Sequence, residues 1–204
     1  MKQCLKTLME RLPEGVDGAL ITSDENRRYF TNMKSSAGTL LVTREKAQFI
    51  IDFRYIEKAR SVITDFEVLL QSTDFYGQIQ EFFSSCGAKT IAVEAETLTL
   101  SQYNRYLEKL PELAWVNDVR LSEQINKLRA TKTADEIADI QKAQSFTDAA
   151  FDHILGFIKP GVTEKEIALE LEYTMRRLGA TGIAFDTIAV SGVNSSLPHG
   201  VPSD

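Results

Sequence analysis

The residues best suited to chemistry lie toward the C-terminal end of the chain. Residues 186–190 form an apolar run typical of a strand, a turn rich in Gly, Asn and Ser follows, and the segment ends Leu197-Pro198-His199-Gly200. A neutral imidazole on a loop that leaves a strand can donate or accept a proton near pH 7. Pro198 restricts the backbone that leads to it. The residues alone leave two interpretations of His199 open, a functional group and an ordinary loop histidine.

A serine nucleophile is the first alternative chemistry. Ser195 and Ser196 precede His199, and a Ser–His pair can activate a hydroxyl oxygen. The chain has no G-x-S-x-G elbow, however, and Ser191-Gly192 is ordinary turn material. A serine hydrolase is therefore the weakest hypothesis.

Metal-ligand spacing is missing from the sequence. The other histidine, His153, lies inside a helical pattern, where packing or solvation explains it, and there is no HExxH, HxH or Cys/His cluster. Four acidic residues resemble the solvated start of a helix, namely Glu164, Glu166, Glu170 and Glu172. We predict no metal ligand and no bound cofactor within this chain.

The composition bounds the class of protein. The 204 residues are 43% hydrophobic and 25% charged, which is typical of a globular protein. The formal net charge of −6 argues against nucleic-acid binding. No apolar run approaches the ~20 residues that span a bilayer. Charges interrupt the N-terminal apolar run, so it is not a signal peptide, and the spacing of Leu5, Leu8 and Leu12 predicts an amphipathic helix. With only two cysteines, we expect a cytoplasmic protein with reduced thiols.

The first half of the chain, residues 1–120, alternates strands and helices. Strand-like runs occur at 18–22, 38–43, 47–51, 66–70, 90–93 and 113–116. Helical patterns lie at 54–62 and 75–84 and after the capping residue Thr99. Arg44-Glu45-Lys46 predicts a hairpin, so the sheet is expected to be mixed. The aromatic residues Tyr29, Phe30, Phe49, Phe53 and Tyr55 are predicted core residues. These features predict an α/β domain with helices packed on the sheet.

The second half, residues 121–204, changes to long helices. A linking helix is expected near 121–129, and capping boxes at Thr133 and Thr163 open two more. Lys159-Pro160-Gly161 ends the first of these two. An apolar face is predicted along it, through Ile137, Ile140, Ala143, Phe151, Ile154 and Ile158. We expect the two helices to pack as a pair and lead into a strand at 186–190. One strand cannot satisfy its own backbone groups, so this half resembles the opening part of a larger domain.

Four segments carry a family resemblance. They are Asp52-Phe53-Arg54-Tyr55, the run from Leu128 to Ile137, Lys159-Pro160-Gly161-Val162-Thr163-Glu164, and Phe185 to Gly200. With them the chain resembles the proline-specific metallopeptidases of the pita-bread fold, which include Xaa-Pro aminopeptidase (aminopeptidase P), Xaa-Pro dipeptidase (prolidase) and their relative creatinase. The last segment is the most specific of the four.

The resemblance implies a fold and a site. It implies a creatinase-like N-terminal domain over 1–120 and the incomplete start of a pita-bread catalytic domain over 121–204. It also implies two divalent metal ions (Mn²⁺, Co²⁺ or Zn²⁺), whose ligands would follow the segment that contains His199. We therefore expect a C-terminally truncated chain that is inactive alone. His199 would be a catalytic residue that lines the site without binding metal.

The resemblance leaves the function at the level of a class. It implies a homodimeric peptidase that cleaves Xaa-Pro bonds in proline-containing peptides, of the aminopeptidase P type. The alternatives are an Xaa-Pro dipeptidase and a non-catalytic module for dimerisation or peptide binding. No nucleic acid or membrane is expected among its partners.

Overall fold

The chain folds into two compact units. The computed structural model describes residues 2–204; the first unit ends at Thr131 and the second begins at Lys132. The helix Arg120–Ala130 belongs to the first unit, whereas the sequence analysis placed its residues from 121 onward in the second domain. The reason is burial, because Leu121 and Ile125 of this helix are almost fully inside the first unit's core.

The first unit contains a six-stranded sheet in the order β4-β3-β2-β1-β5-β6. The strands are β1 (Gly18–Ile21), β2 (Thr39–Thr43), β3 (Ala47–Ile51), β4 (Glu67–Leu70), β5 (Thr90–Val93) and β6 (Ala114–Val116). β2 is antiparallel to both of its neighbours, and the other three pairings are parallel. The hairpin between β2 and β3 therefore makes the sheet mixed, as predicted.

Six helices flank this sheet. They are α1 (Gln3–Glu10), α2 (Asp24–Thr31), α3 (Ile56–Val62), α4 (Phe75–Ser85), α5 (Leu100–Lys109) and α6 (Arg120–Ala130). One apolar core includes residues of α1, α2, α3 and α6, and a second includes residues of α4 and α5. Alternation along the strands divides the side chains between these cores, so Phe49 lies in the first and Ile50 in the second. The predicted α/β class with flanking helices is confirmed.

The helix α2 was not predicted from the sequence. Its eight residues carry too little apolar periodicity, but both ends are capped: the Ser23 side chain accepts from the Asn26 N–H, and Asn32 adopts a left-handed conformation with φ 57°. The buried Glu94 fixes the start of this helix. It accepts the backbone N–H groups of Thr22 at 2.6 Å and Ser23 at 2.9 Å.

One predicted core aromatic lies outside the core. Phe30 and Phe49 are fully buried, but Phe53 is 78% exposed. Phe53 follows β3, in the turn before α3, so it is beyond the strand alternation that directs Phe49 inward. The prediction for Phe53 was therefore wrong.

The second unit contains α7 (Ala134–Phe157) and α8 (Glu164–Leu178). Both predicted capping boxes are present, and Gly179 closes α8 in a left-handed conformation with φ 117°. The two helices pack as a pair. His153 Nε2 of α7 lies 2.6 Å from Glu170 Oε1 of α8.

The strand predicted at 186–190 is not formed. A strand needs a neighbour to satisfy its backbone groups, and the structure shows no other strand within residues 132–204. The apolar face predicted on α7 is correspondingly open. Ile154 is buried, whereas Ile140 is 54% and Phe151 59% exposed.

Removal of the Glu94 carboxylate should destabilise the first unit. In Glu94→Ala the half-buried Thr22 and Ser23 N–H groups and the buried Asn26 side-chain amide lose their acceptor. A buried donor left unsatisfied costs about 1–3 kcal/mol. We expect the free energy of unfolding to fall by at least about 2 kcal/mol. Fluorescence of Trp115, the single tryptophan and a β6 residue, reports denaturant unfolding of this unit. Glu96→Ala, an exposed neighbour, is the control; equal midpoints for the two variants would contradict this role.

Candidate functional site

His199 lies on an exposed loop that follows a short 3₁₀ turn, Gly192–Ser196. The Leu197 N–H donates to the Asn194 carbonyl at 3.0 Å, and the Gly200 N–H donates to the Leu197 carbonyl at 3.1 Å. Gly200 itself is buried, and a Cβ there would lie 2.8 Å from Val190 Cγ1. The chain around His199 is thus a series of tight turns that close onto Val190.

The loop is attached to the start of α8 through Glu164. This residue is 8% exposed, and its Oε1 accepts the Ser191 N–H at 2.6 Å. Its Oε2 accepts the Ser203 N–H at 2.9 Å and the Ser203 hydroxyl at 2.8 Å. One side chain therefore binds the segment on both sides of His199.

Further polar contacts surround this carboxylate. Asn194 Nδ2 donates to Glu164 Oε2 at 3.2 Å and to Ser203 Oγ at 3.2 Å. The Lys165 N–H donates to the Ser203 carbonyl at 3.2 Å, and Lys165 Nζ lies 2.8 Å from Asp204 Oδ2. The start of α8 and the segment through residue 204 therefore form one hydrogen-bonded cluster.

The electrostatics follow from these donors. The backbone N–H of Ser203, and next that of Ser191, lower the pKa of Glu164 from 4.5 to about 2. Donors that favour the ionised form outweigh the opposing effect of desolvation. Glu164 is therefore an anion throughout the ordinary pH range.

This role of Glu164 was missed by the sequence analysis, which interpreted four acidic residues of α8 as solvated. Glu166 caps the helix by accepting the Thr163 N–H at 2.8 Å, and Glu172 accepts from Arg176 Nε at 2.9 Å. Glu164 differs because its partners lie 27 and 39 residues away in sequence. No local spacing could have indicated them.

The loop serines are engaged locally. Ser195 Oγ donates to the Gly192 carbonyl at 2.6 Å, and Ser196 Oγ donates to the Val193 carbonyl at 2.9 Å. Such bonds are typical of serines that stabilise turns. The geometry gives no support to a Ser–His nucleophile.

The described part of the chain does not provide a metal centre. Within residues 2–204, no group of three or more His, Cys, Asp or Glu side chains lies close enough to hold a metal ion. Over the same residues, no helix combines the length and the apolar character that crossing a bilayer requires. The second unit instead presents the exposed imidazole of His199 on a loop that Glu164 binds at Ser191 and at Ser203.

Comparison with known families assigns both units. The Creatinase/Prolidase N-terminal domain matches residues 3–131, and Metallopeptidase family M24 matches residues 138–204. The chain belongs to the creatinase/prolidase family, and its C-terminal part matches the M24 metallopeptidase model. The resemblance noted in the sequence is thereby confirmed. The N-terminal match also ends at residue 131, where the first compact unit ends.

Individual relatives agree with this assignment. The uncharacterised peptidase YqhT of Bacillus subtilis is 40% identical over 190 residues, which are 93% of this chain and 53% of the relative. The solved structure of an Xaa-Pro dipeptidase from Bacillus anthracis matches with a TM-score of 0.88 and 38% identity, over 98% of this chain and 55% of that one. An X-Pro aminopeptidase from Thermotoga maritima matches with a TM-score of 0.83 and 34% identity, over 93% and 55%. The chain spans about half the length of the curated relatives it matches.

The lowered pKa of Glu164 predicts how the loop responds to acid. Its contribution to stability is complete above pH 4.5 and is lost as the pH falls toward and through about 2. We expect the amide resonances of Ser191 and Ser203 to titrate together with a midpoint near 2. The same titration of Asp204→Asn, which removes the neighbouring side-chain carboxylate, should keep that midpoint. A midpoint near 4.5 in either protein would contradict the prediction.

Proposed function

We propose that this chain supplies the N-terminal domain and the first active-site segment of an Xaa-Pro peptidase of the aminopeptidase P type. The observation that carries the proposal is that the M24 match includes Phe185–Gly200, whose loop presents an exposed imidazole. The substrate class follows the relatives, since one matched structure is an Xaa-Pro dipeptidase and another an X-Pro aminopeptidase. The Xaa-Pro dipeptidase is accordingly the alternative within this class.

In this proposal His199 contacts the substrate. An N–H of its imidazole donates a hydrogen bond to the carbonyl oxygen of the scissile bond and stabilises the negative charge that develops there. Its exposure leaves the ring accessible to a peptide, and the attachment of its loop on both sides fixes the backbone beneath it. Such fixed donors stabilise a transition state without reorganising during the reaction.

The family name implies divalent metal ions, whose chemistry is the activation of water and the polarisation of the scissile carbonyl. The described residues do not fit such a centre, because they contain no cluster of ligands. Ligands for such ions would therefore have to come from outside residues 2–204. This chain binds and orients the substrate.

A second candidate function is a binding module. The first unit has its own six-stranded sheet and two apolar cores, features of a domain that folds independently. Dimerisation or peptide recognition by this unit would not need the metal centre. A homodimer in the cytoplasm, expected from the resemblance and the composition respectively, is compatible with both candidates.

The chain alone should bind no divalent ions tightly. Without a ligand cluster in residues 2–204, we expect titration calorimetry with Mn²⁺, Co²⁺ or Zn²⁺ at micromolar protein to show no saturable binding. The chain should also leave Xaa-Pro peptides intact in the presence of each ion. Saturable binding of two ions per chain would contradict the assignment of the metal ligands to other residues.

The function itself is testable in a fusion of this chain to the part of the B. subtilis relative outside the match. We expect hydrolysis of proline-containing peptides, with Ala-Pro-Ala cleaved by an aminopeptidase and Ala-Pro by a dipeptidase. His199→Ala should lower kcat by about 10²–10³, the usual cost of removing one transition-state donor. His153→Ala, which removes the only other imidazole, is the matched control. An active fusion that tolerates His199→Ala would exclude the proposed role of His199.

A further inference from the structure

A single carboxylate closes the loop that contains His199. Ser191 lies at one end of the segment 191–203 and Ser203 at the other, and their N–H groups bind the two oxygens of Glu164. A loop of this length with its ends together is an Ω-type loop, a class that is frequently functional. Joining its ends costs conformational entropy, so an interaction must offset that cost.

Burial of apolar side chains does not offset the entropy cost of closing the loop. Within the loop, Val193 is 90% exposed, Leu197 is 56% exposed and Val201 is 81% exposed. Their contribution is small, because hydrophobic stabilisation scales with the apolar area removed from water. The polar contacts to Glu164 are therefore the main attachment that the structure shows for the segment.

Nor does α8 need Glu164 as a cap. An acidic residue in the first turn usually serves its own helix. Here the capping box of Thr163 and Glu166 already satisfies the helix start, with distances of 2.8 and 3.2 Å. The donors to Glu164 come instead from three residues of the loop, namely Ser191, Asn194 and Ser203.

The ion pair of Lys165 and Asp204 is too exposed to hold the loop in place of Glu164. The side chain of Lys165 is 52% exposed and that of its partner Asp204 is 87% exposed. Exposed pairs contribute little to stability, and salt screens them. A second attachment is the backbone bond from the Lys165 N–H to the Ser203 carbonyl, at 3.2 Å. It holds only one end of the loop.

We propose that Glu164 is the positioning residue of His199: its carboxylate closes the segment 191–203 and thereby fixes where the imidazole meets a substrate. From Ser191 onward, i→i+3 bonds at Asn194, Leu197 and Gly200 carry this constraint along the chain to His199. The part of this inference that concerns the substrate rests on the proposed function. The closure itself can be measured in the chain alone.

Hydrogen exchange and NMR of the 204-residue chain test the closure. In Glu164→Gln an amide NH₂ replaces one acceptor oxygen, so we expect the Ser191 and Ser203 amides to exchange at least tenfold faster. The His199 ring resonance should move to its position in an unfolded peptide. The His153 resonance and the amides within α8 should not change. Glu166→Gln is the matched control, since Gln retains the capping function.

The outcomes separate the possible roles. Unchanged Ser191 and Ser203 exchange in Glu164→Gln would overturn the proposal, as would loss of protection along the whole of α8, which would make Glu164 a structural residue of the helix. In an active fusion, Glu164→Gln should lower kcat at least tenfold with little change in KM, and the loss should not add to that of His199→Ala. If the Ser191 and Ser203 amides exchange faster in Glu164→Gln but the fusion has no peptidase activity, the closure is supported. Only the proposed function is then contradicted.

Discussion

A carboxylate removed from water must be surrounded by hydrogen-bond donors, and in each unit one such carboxylate joins segments that are distant in sequence. Glu94, at the end of β5, binds the turn that begins α2, and Glu164, at the start of α8, binds both ends of the His199 loop. Backbone N–H groups and polar side chains both donate to each carboxylate. Each carboxylate satisfies donors that the chain would otherwise leave unpaired, so each fixes the course of a loop.

The same requirement for hydrogen-bonding partners explains why strands form in the first unit but not at residues 186–190 of the second. In the first unit every strand has a neighbour, and helices cover both faces of the sheet. In the second unit, residues 186–190 have the composition of a strand but no described neighbour to pair with, and α7 leaves Phe151 largely exposed. Those residues therefore remain irregular, although their sequence favours a strand.

The family matches indicate a class of substrate, and the geometry of the His199 loop indicates what this segment could do with it. The match over residues 3–131 establishes the creatinase/prolidase family, and residues 138–204 match metallopeptidase family M24. The named relatives supply the Xaa-Pro substrate class on which the proposal draws. The geometry adds a physical account of this chain's own segment. An exposed imidazole lies on a loop closed by an ionised, mostly buried glutamate, while the loop serines bond within their own turn. The proposed role of His199 as a residue that contacts substrate draws on this arrangement.

Features that depend on near neighbours along the chain can be predicted from the sequence alone. The capping boxes at Thr99, Thr133 and Thr163 depend on contacts a few residues apart, and the alternation of a strand directs Phe49 and Ile50 to opposite faces of the sheet. Family membership was also readable, because it lies in short motifs. Tertiary structure alone decided the roles of Glu94 and Glu164, the exposure of Phe53 and the packing of α6 into the first unit. These roles depend on partners far apart along the chain, because Glu94 lies 72 residues from Thr22 and Glu164 lies 39 residues from Ser203. The spacing of neighbouring residues gives no information about such partners.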